Sequence, residues 1–249
     1  MKFKSLWILL ITLTTFSTSA EKYESIKLGY FQLPPFAYSD KTGAHKGIAI
    51  DYIKSIFKKR SINVTFKHYP FHRLLIELKK NRIDGAVLLG KNDERSKIFK
   101  YPKGPYISDR PGLVFRKGRS PKKLEAPKDL SGYLIGIPEK AYISPFIAKN
   151  KESLKLNGIP SGIEHLKPMM YSLSKSRGID SLYLPTMSTL MSTGKDLGIS
   201  NKLTYLYTPE KAQNFYTVFK MKIDKDILKA YNEENTNFIS AKKLSEILK

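Results

Sequence analysis

The chain contains no cysteine, which removes a disulfide framework, a thiolate metal site and a cysteine nucleophile at once. Histidine is scarce, with 4 among 249 residues. His68 and His72 stand at helical ligand spacing, but Pro70 between them marks a strand-to-helix boundary and breaks that geometry. His45 and His165 have no companions at ligand spacing, so no metal site is expected. There is no Gly-x-Ser-x-Gly elbow, and Ser192-Thr193-Gly194-Lys195 lacks the upstream glycine of a phosphate loop. Beyond residue 16, charges interrupt every apolar run, and none approaches the roughly 20 residues of a membrane span. Acid is also in short supply, with 22 Asp and Glu against 44 Lys and Arg.

The resulting net charge is +22, two units of which belong to Lys2 and Lys4. Such a field attracts anions. The lysines are spread through every segment rather than gathered on one arm, which argues for a generally cationic surface and against nucleic acid as partner. Lys2 and Lys4 precede an apolar stretch around Trp7-Ile8-Leu9-Leu10-Ile11, followed by small Ser17-Thr18-Ser19-Ala20 and charged Glu21-Lys22. That order predicts a secretory signal peptide over residues 1–20, cleaved after Ala20, and a periplasmic destination. The region also lacks the cysteine of a lipoprotein.

The remainder alternates strand-like and helix-like patterns. Residues 25–31 read as a strand; Ala49, Tyr52, Ile53, Ile56 and Phe57 make one apolar helix face. Residues 62–68 alternate as a half-buried strand, Phe71, Leu74, Leu75 and Leu78 repeat helical spacing, and 83–89 is a short apolar strand. Past a Lys/Pro/Ser-rich loop at 116–130, strands are expected at 133–137, 179–184 and 215–221, with a short helix at 142–149. Two helical patterns close the chain, one with Ile227, Leu228, Tyr231 and Phe238 on a face, the other with Leu244, Ile247 and Leu248. This rhythm predicts an α/β protein whose mainly parallel sheets carry helices on their faces.

Five local patterns, in order, resemble the family 3 periplasmic solute-binding proteins, the amino-acid-binding group. They are Pro34-Pro35-Phe36-Ala37-Tyr38 with Gly47-Ile48-Ala49-Ile50-Asp51-Tyr52; Tyr69-Pro70-Phe71-His72-Arg73; Asn81-Arg82-Ile83-Asp84-Gly85-Ala86; Asn92-Asp93-Glu94-Arg95 with Tyr101 and Pro105-Tyr106; and Asp129-Leu130-Ser131-Gly132-Tyr133-Leu134-Ile135-Gly136. The resemblance implies a two-lobed periplasmic-binding-protein fold of type II with a two-strand hinge. Lobe one would hold residues 21–110, lobe two 111–215, and 216–249 would return to lobe one, with crossings near 110–115 and 214–218. It further implies a monomer that needs no cofactor and closes over a small anionic or zwitterionic ligand. Delivery to the membrane permease of an ABC importer follows; the alternatives are a ligand sensor read by a membrane protein, or a cyclohexadienyl-dehydratase-like enzyme on the same scaffold.

By the same resemblance Arg95 grips the ligand carboxylate, for which a planar guanidinium fork is suited; its other reading is a pair with Glu94 or another surface acid. Arg73 supplies either a second positive contact or a surface salt bridge. Phe36, Tyr38, Phe71 and Tyr106 are candidates for an aromatic wall, with core packing the other reading, and Gly90 is a further candidate for ligand contact. Asp84 is read as structural and Asp51 as a helix-surface residue. On lobe two, Gly178-Ile179-Asp180 is present, but the later carboxylate that holds an amino acid's ammonium in the family falls near Pro185. Pro138-Glu139-Lys140-Ala141-Tyr142 replaces the usual Gly/Thr-rich loop, which makes Glu139 and Tyr142 the candidate lobe-two contacts and puts an ordinary α-amino acid in question. Glu139 and His72 are the only candidates for a catalytic acid or base, and no enzyme is expected.

Overall fold

The computed structural model describes residues 25–139, 142–160, 162–240, 242, 243 and 246. The expected signal peptide and the last helical face, Leu244 with Ile247 and Leu248, lie outside them. Among the described residues no helix is long and apolar enough to cross a membrane.

In the first lobe β1 (Ser25–Tyr30) lies parallel between β4 (Asn63–His68) and β5 (Gly85–Gly90). The helices α1 (Ile48–Lys58) and α2 (Phe71–Lys79) connect these strands. In α1, Ala49, Ile50, Ile53, Ile56 and Phe57 are buried against the sheet, while Tyr52, expected on that face, is half-buried at its margin. Gly47 starts this helix at φ 119°, and a Cβ there would collide with the Phe36 carbonyl, so only glycine fits. A small ribbon, β2 (Tyr38–Ser39) with β3 (His45–Lys46), precedes it. After β5 come α3 (Asp93–Ile98), β6 (Phe99–Lys100) and β7 (Ile107–Asp109).

The second lobe is a five-stranded sheet that runs β10, β9, β11, β8, β12. Its strands are β8 (Gly112–Arg116), β9 (Leu134–Pro138), β10 (Lys155–Ile159), β11 (Ser181–Leu184) and β12 (Leu203–Tyr207). Strands β10, β9 and β11 are parallel; β8 and β12 are antiparallel additions. The helices α4 (Pro145–Ala148), α5 (Ile163–Ser174) and α6 (Met187–Asp196) cover it. One face buries Leu166, Met170, Leu182, Met187 and Leu190; the other buries Leu113, Phe115, Ile135, Ile147 and Tyr183.

The two lobes share one device at matching places. Asp84 accepts from the Lys27 N–H at 2.8 Å through Oδ2 and from Lys220 Nζ at 2.6 Å through Oδ1. Asp180 accepts from the Leu134 N–H at 2.8 Å. Each Ile-Asp step thereby ties the turn before a buried strand to the start of its neighbour, a structural task.

The chain passes from the first sheet at Asp109 to the second at Gly112, and returns between Tyr207 and Gln213. Strand β13 (Gln213–Lys220) belongs to the first sheet, antiparallel to β5, β6 and β7. The second crossing therefore falls at 208–212, ahead of the 214–218 read from the sequence. Gln213 and Asn214 are polar, which hides the start of a strand whose apolar run begins at Phe215. Helix α7 (Lys225–Glu234) packs Ile227 and Tyr231 on the first core, with the Tyr231 hydroxyl donating to Thr217 Oγ1 or accepting from it at 3.0 Å. Phe238, expected on that face, lies beyond the helix end and is exposed.

Candidate functional site

Binding crevices in open α/β sheets lie beyond the carboxyl ends of parallel strands. Strand β5 ends at Gly90, and the Asn92 side chain then caps α3 by accepting from the Arg95 N–H at 2.8 Å. This tight turn brings Arg95 back toward the strand end, where Nη1 donates to the Gly90 carbonyl at 3.1 Å. Its guanidinium lies over the Phe71 ring, 5.5 Å from the centroid, and Phe71 in turn meets Phe31 edge-on at 5.0 Å. The Tyr101 hydroxyl donates to the same Gly90 carbonyl at 2.9 Å, and its ring meets Tyr216 edge-on at 5.4 Å. Burial pushes the Tyr101 hydroxyl up to about 12, with the Arg95 charge opposing. It therefore stays a neutral donor that fixes Gly90.

Arg95 is half-buried, and among the described residues it forms no ion pair with any carboxylate, Glu94 included. The arrangement is a guanidinium on an aromatic platform, with one N–H engaged by backbone and further donors at hand. It can receive a planar anionic group in bidentate fashion.

Arg73 is not brought there. Its Nε pairs with Glu77 Oε1 at 2.8 Å, the arginine side chain 56% exposed and the glutamate only 8%, so a salt bridge within α2 describes it. Phe36 and Tyr106 are corrected from pocket wall to core: both are buried in the first-lobe cluster, and Tyr106 stacks on Tyr52 at 5.5 Å. Their loops fold inward because the apolar side chains have no other cover. Tyr38 is half-buried on the β2–β3 ribbon. On lobe two, Glu139 is exposed at the carboxyl end of β9, with its N–H donating to the Ile159 carbonyl at 2.8 Å. Tyr142 is 50% exposed, its hydroxyl pushed up by burial first and by the Glu210 charge second. His72 and Asp51 are exposed on helix surfaces, and no cluster of three or more His, Asp and Glu able to hold a metal occurs among the described residues.

Two features escape sequence reasoning. One is the aromatic frame of Phe31, Tyr101 and Tyr216 around Arg95; Tyr101 follows the Asn92-to-Arg95 motif, but nothing in the spacing says that it fixes Gly90. The other is the hinge. Asp109, 1% exposed, accepts from the Arg110 N–H at 2.8 Å and, across the lobes, from the Ser188 N–H at 3.0 Å. It thus caps α6, whose own N-cap residue Thr186 makes no side-chain cap. Arg110 donates to the Thr208 carbonyl at 2.9 Å and lies over the Tyr207 ring at 4.7 Å, which stitches the two crossings together.

Several known proteins are similar to this chain. Over 129 residues it is 24% identical to the arginine-binding periplasmic protein of Mannheimia haemolytica, a match covering 51% of each, so it spans about half that relative's length. A histidine kinase sensor domain similar to periplasmic binding proteins superposes with a TM-score of 0.71 at 16% identity, over 86% of this chain and 90% of that one. An ancestral arginine-binding protein bound to arginine gives 0.69 at 20%, over 86% and 92%. A Streptococcus pneumoniae ABC uptake transporter substrate-binding protein with bound histidine gives 0.67 at 21%, over 84% and 85%. At these identities the likeness shows the periplasmic-binding-protein fold. The profile of the bacterial extracellular solute-binding proteins, family 3, matches residues 26–249, well over half of the chain, and the chain belongs to that family.

Proposed function

We propose that the protein closes its two lobes around one small, carboxylate-bearing, amino-acid-like solute and delivers it to the permease of an ABC importer. The observation that carries this reading is Arg95, set over Phe71 at the carboxyl end of β5 and paired with no carboxylate among the described residues. A cation so placed in a crevice is complementary to an anionic guest. The named relatives support the amino-acid part, since they are described as binding arginine or histidine. They are binding proteins rather than enzymes, which favours binding over the dehydratase alternative.

Closure follows from the hinge. A solute that touches both lobes binds the closed form better and shifts the open–closed equilibrium by that difference. The test is a thermal-shift screen of the mature protein against amino acids, di- and tricarboxylates, opines and short peptides. A carboxylate-bearing ligand should raise the melting temperature progressively with its concentration. A screen in which only solutes without a carboxylate do so would refute the reading.

A further inference from the structure

A carboxylate stands at the junction of the lobes. Glu210 lies midway along the returning crossing, between β12 and β13. Its Oε1 accepts from the Phe146 N–H at 2.7 Å, which ties the crossing to α4. Its Oε2 is buried and accepts from nothing in the structure. Ser144, fully buried two residues before Phe146, likewise leaves Oγ without a partner, although its N–H donates to the Tyr183 hydroxyl at 2.9 Å. Burial raises the Tyr183 and Tyr142 hydroxyls, and in both the Glu210 charge adds to the effect, which places the carboxylate close to these two rings.

Orphaned buried oxygens of this kind are costly unless a donor reaches them. In a chain with 44 Lys and Arg it is telling that Glu210 forms no ion pair among the described residues. Carboxylate, hydroxyl and a half-exposed tyrosine ring are the groups that recognise an ammonium or guanidinium: a counter-charge, an acceptor and an aromatic face. The register also sets the reach. Phe215 pairs with Gly90, the anchor of Arg95, and Glu210 precedes it by five residues, at most about 17 Å of extended chain.

We propose that Glu210, with Ser144 and Tyr142 beside it, receives a protonated amine or guanidinium of the solute, so that the site takes zwitterionic or cationic amino-acid-like molecules and rejects purely anionic carboxylates. This rests on Arg95 as the carboxylate grip, and the experiment separates the two. Calorimetric titrations use the mature wild-type protein, Glu210→Gln, Tyr142→Leu and Arg95→Ala. The probes are arginine, lysine and ornithine as cation-bearing carboxylates, and succinate and glutarate as carboxylates without a cation.

The wild type should bind at least one of the first group and neither of the second. Glu210→Gln keeps an oxygen for the Phe146 N–H, and should weaken the cation-bearing ligand about tenfold or more. Tyr142→Leu should weaken it by a few-fold, about the value of an exposed cation–π contact. The proposal is overturned if no cation-bearing probe binds, if succinate or glutarate binds as tightly, or if Glu210→Gln stays within about twofold of wild type. A silent Glu210→Gln beside an impaired Arg95→Ala overturns this inference alone; a silent Arg95→Ala overturns the carboxylate grip itself. Should Glu210→Gln fail to fold, the wild-type panel and Tyr142→Leu decide.

Discussion

Replacing Asp109 with asparagine probes the strap between the lobes. The Asp109 carboxylate is 1% exposed and accepts from two backbone N–H groups, one within the crossing and one in the first turn of α6. Burial outweighs those bonds and raises its pKa from 3.8 to about 6. The sign follows from proton counts. Between these two values the folded protein holds a proton that the unfolded chain has released, so stability falls as pH rises through that window. The shift is worth about 3 kcal/mol, absent below pH 4 and fully present above pH 6. Asparagine has no charge to desolvate, but turns an amide N–H₂ toward one of the two backbone donors, at a pH-independent cost of about 1–3 kcal/mol. Asp109→Asn should therefore be less stable than wild type near pH 4, and should gain about 3 kcal/mol on it by pH 7. Urea denaturation of both proteins at pH 4, 5, 6 and 7 reads the difference, in which all other carboxylates cancel. A stability difference that stays constant over this range would refute the reasoning.

Three further substitutions test the placement of single residues. Phe36→Ala should cost about 3–5 kcal/mol in denaturant, since the ring lies in the first-lobe core; a loss under 1 kcal/mol would put the ring elsewhere. Arg73→Ala should change stability by no more than about 1 kcal/mol, because the arginine is 56% exposed and Glu77 keeps Arg82 as a partner at 3.2 Å, and calorimetric affinity should hold within about twofold. Tyr101→Phe removes the hydroxyl bond to Gly90, and should cost about 0.5–1.5 kcal/mol of stability with a smaller loss of affinity.

Much of the fold was legible because burial imposes a period. The α1 face of Ala49, Ile53, Ile56 and Phe57 is buried as its spacing indicates, and Ile83-Asp84 and Ile179-Asp180 mark the turns before the two central strands. Strand β10 escaped notice because it edges its sheet, with only Ile159 fully buried, and shows no alternation. Strand β12 is also an edge, half-buried along most of its length. At the site, the Asn92-to-Arg95 motif located the guanidinium, and helical spacing already contained the Arg73–Glu77 pair. Phe36 and Tyr106 were ambiguous in sequence, because an aromatic after a proline fits a pocket wall and a core equally. Glu210 left no trace, since its role depends on a crossing brought back against α4 from 64 residues away.

The most direct measurement is a calorimetric titration of a carboxylate-bearing ligand from the thermal screen into wild type and Arg95→Ala. Loss of one side of a partly desolvated charged pair should weaken binding by about 2–4 kcal/mol, roughly 30- to 1,000-fold, with the melting temperature of the unliganded protein little changed. Equal affinities in the two proteins would contradict the account.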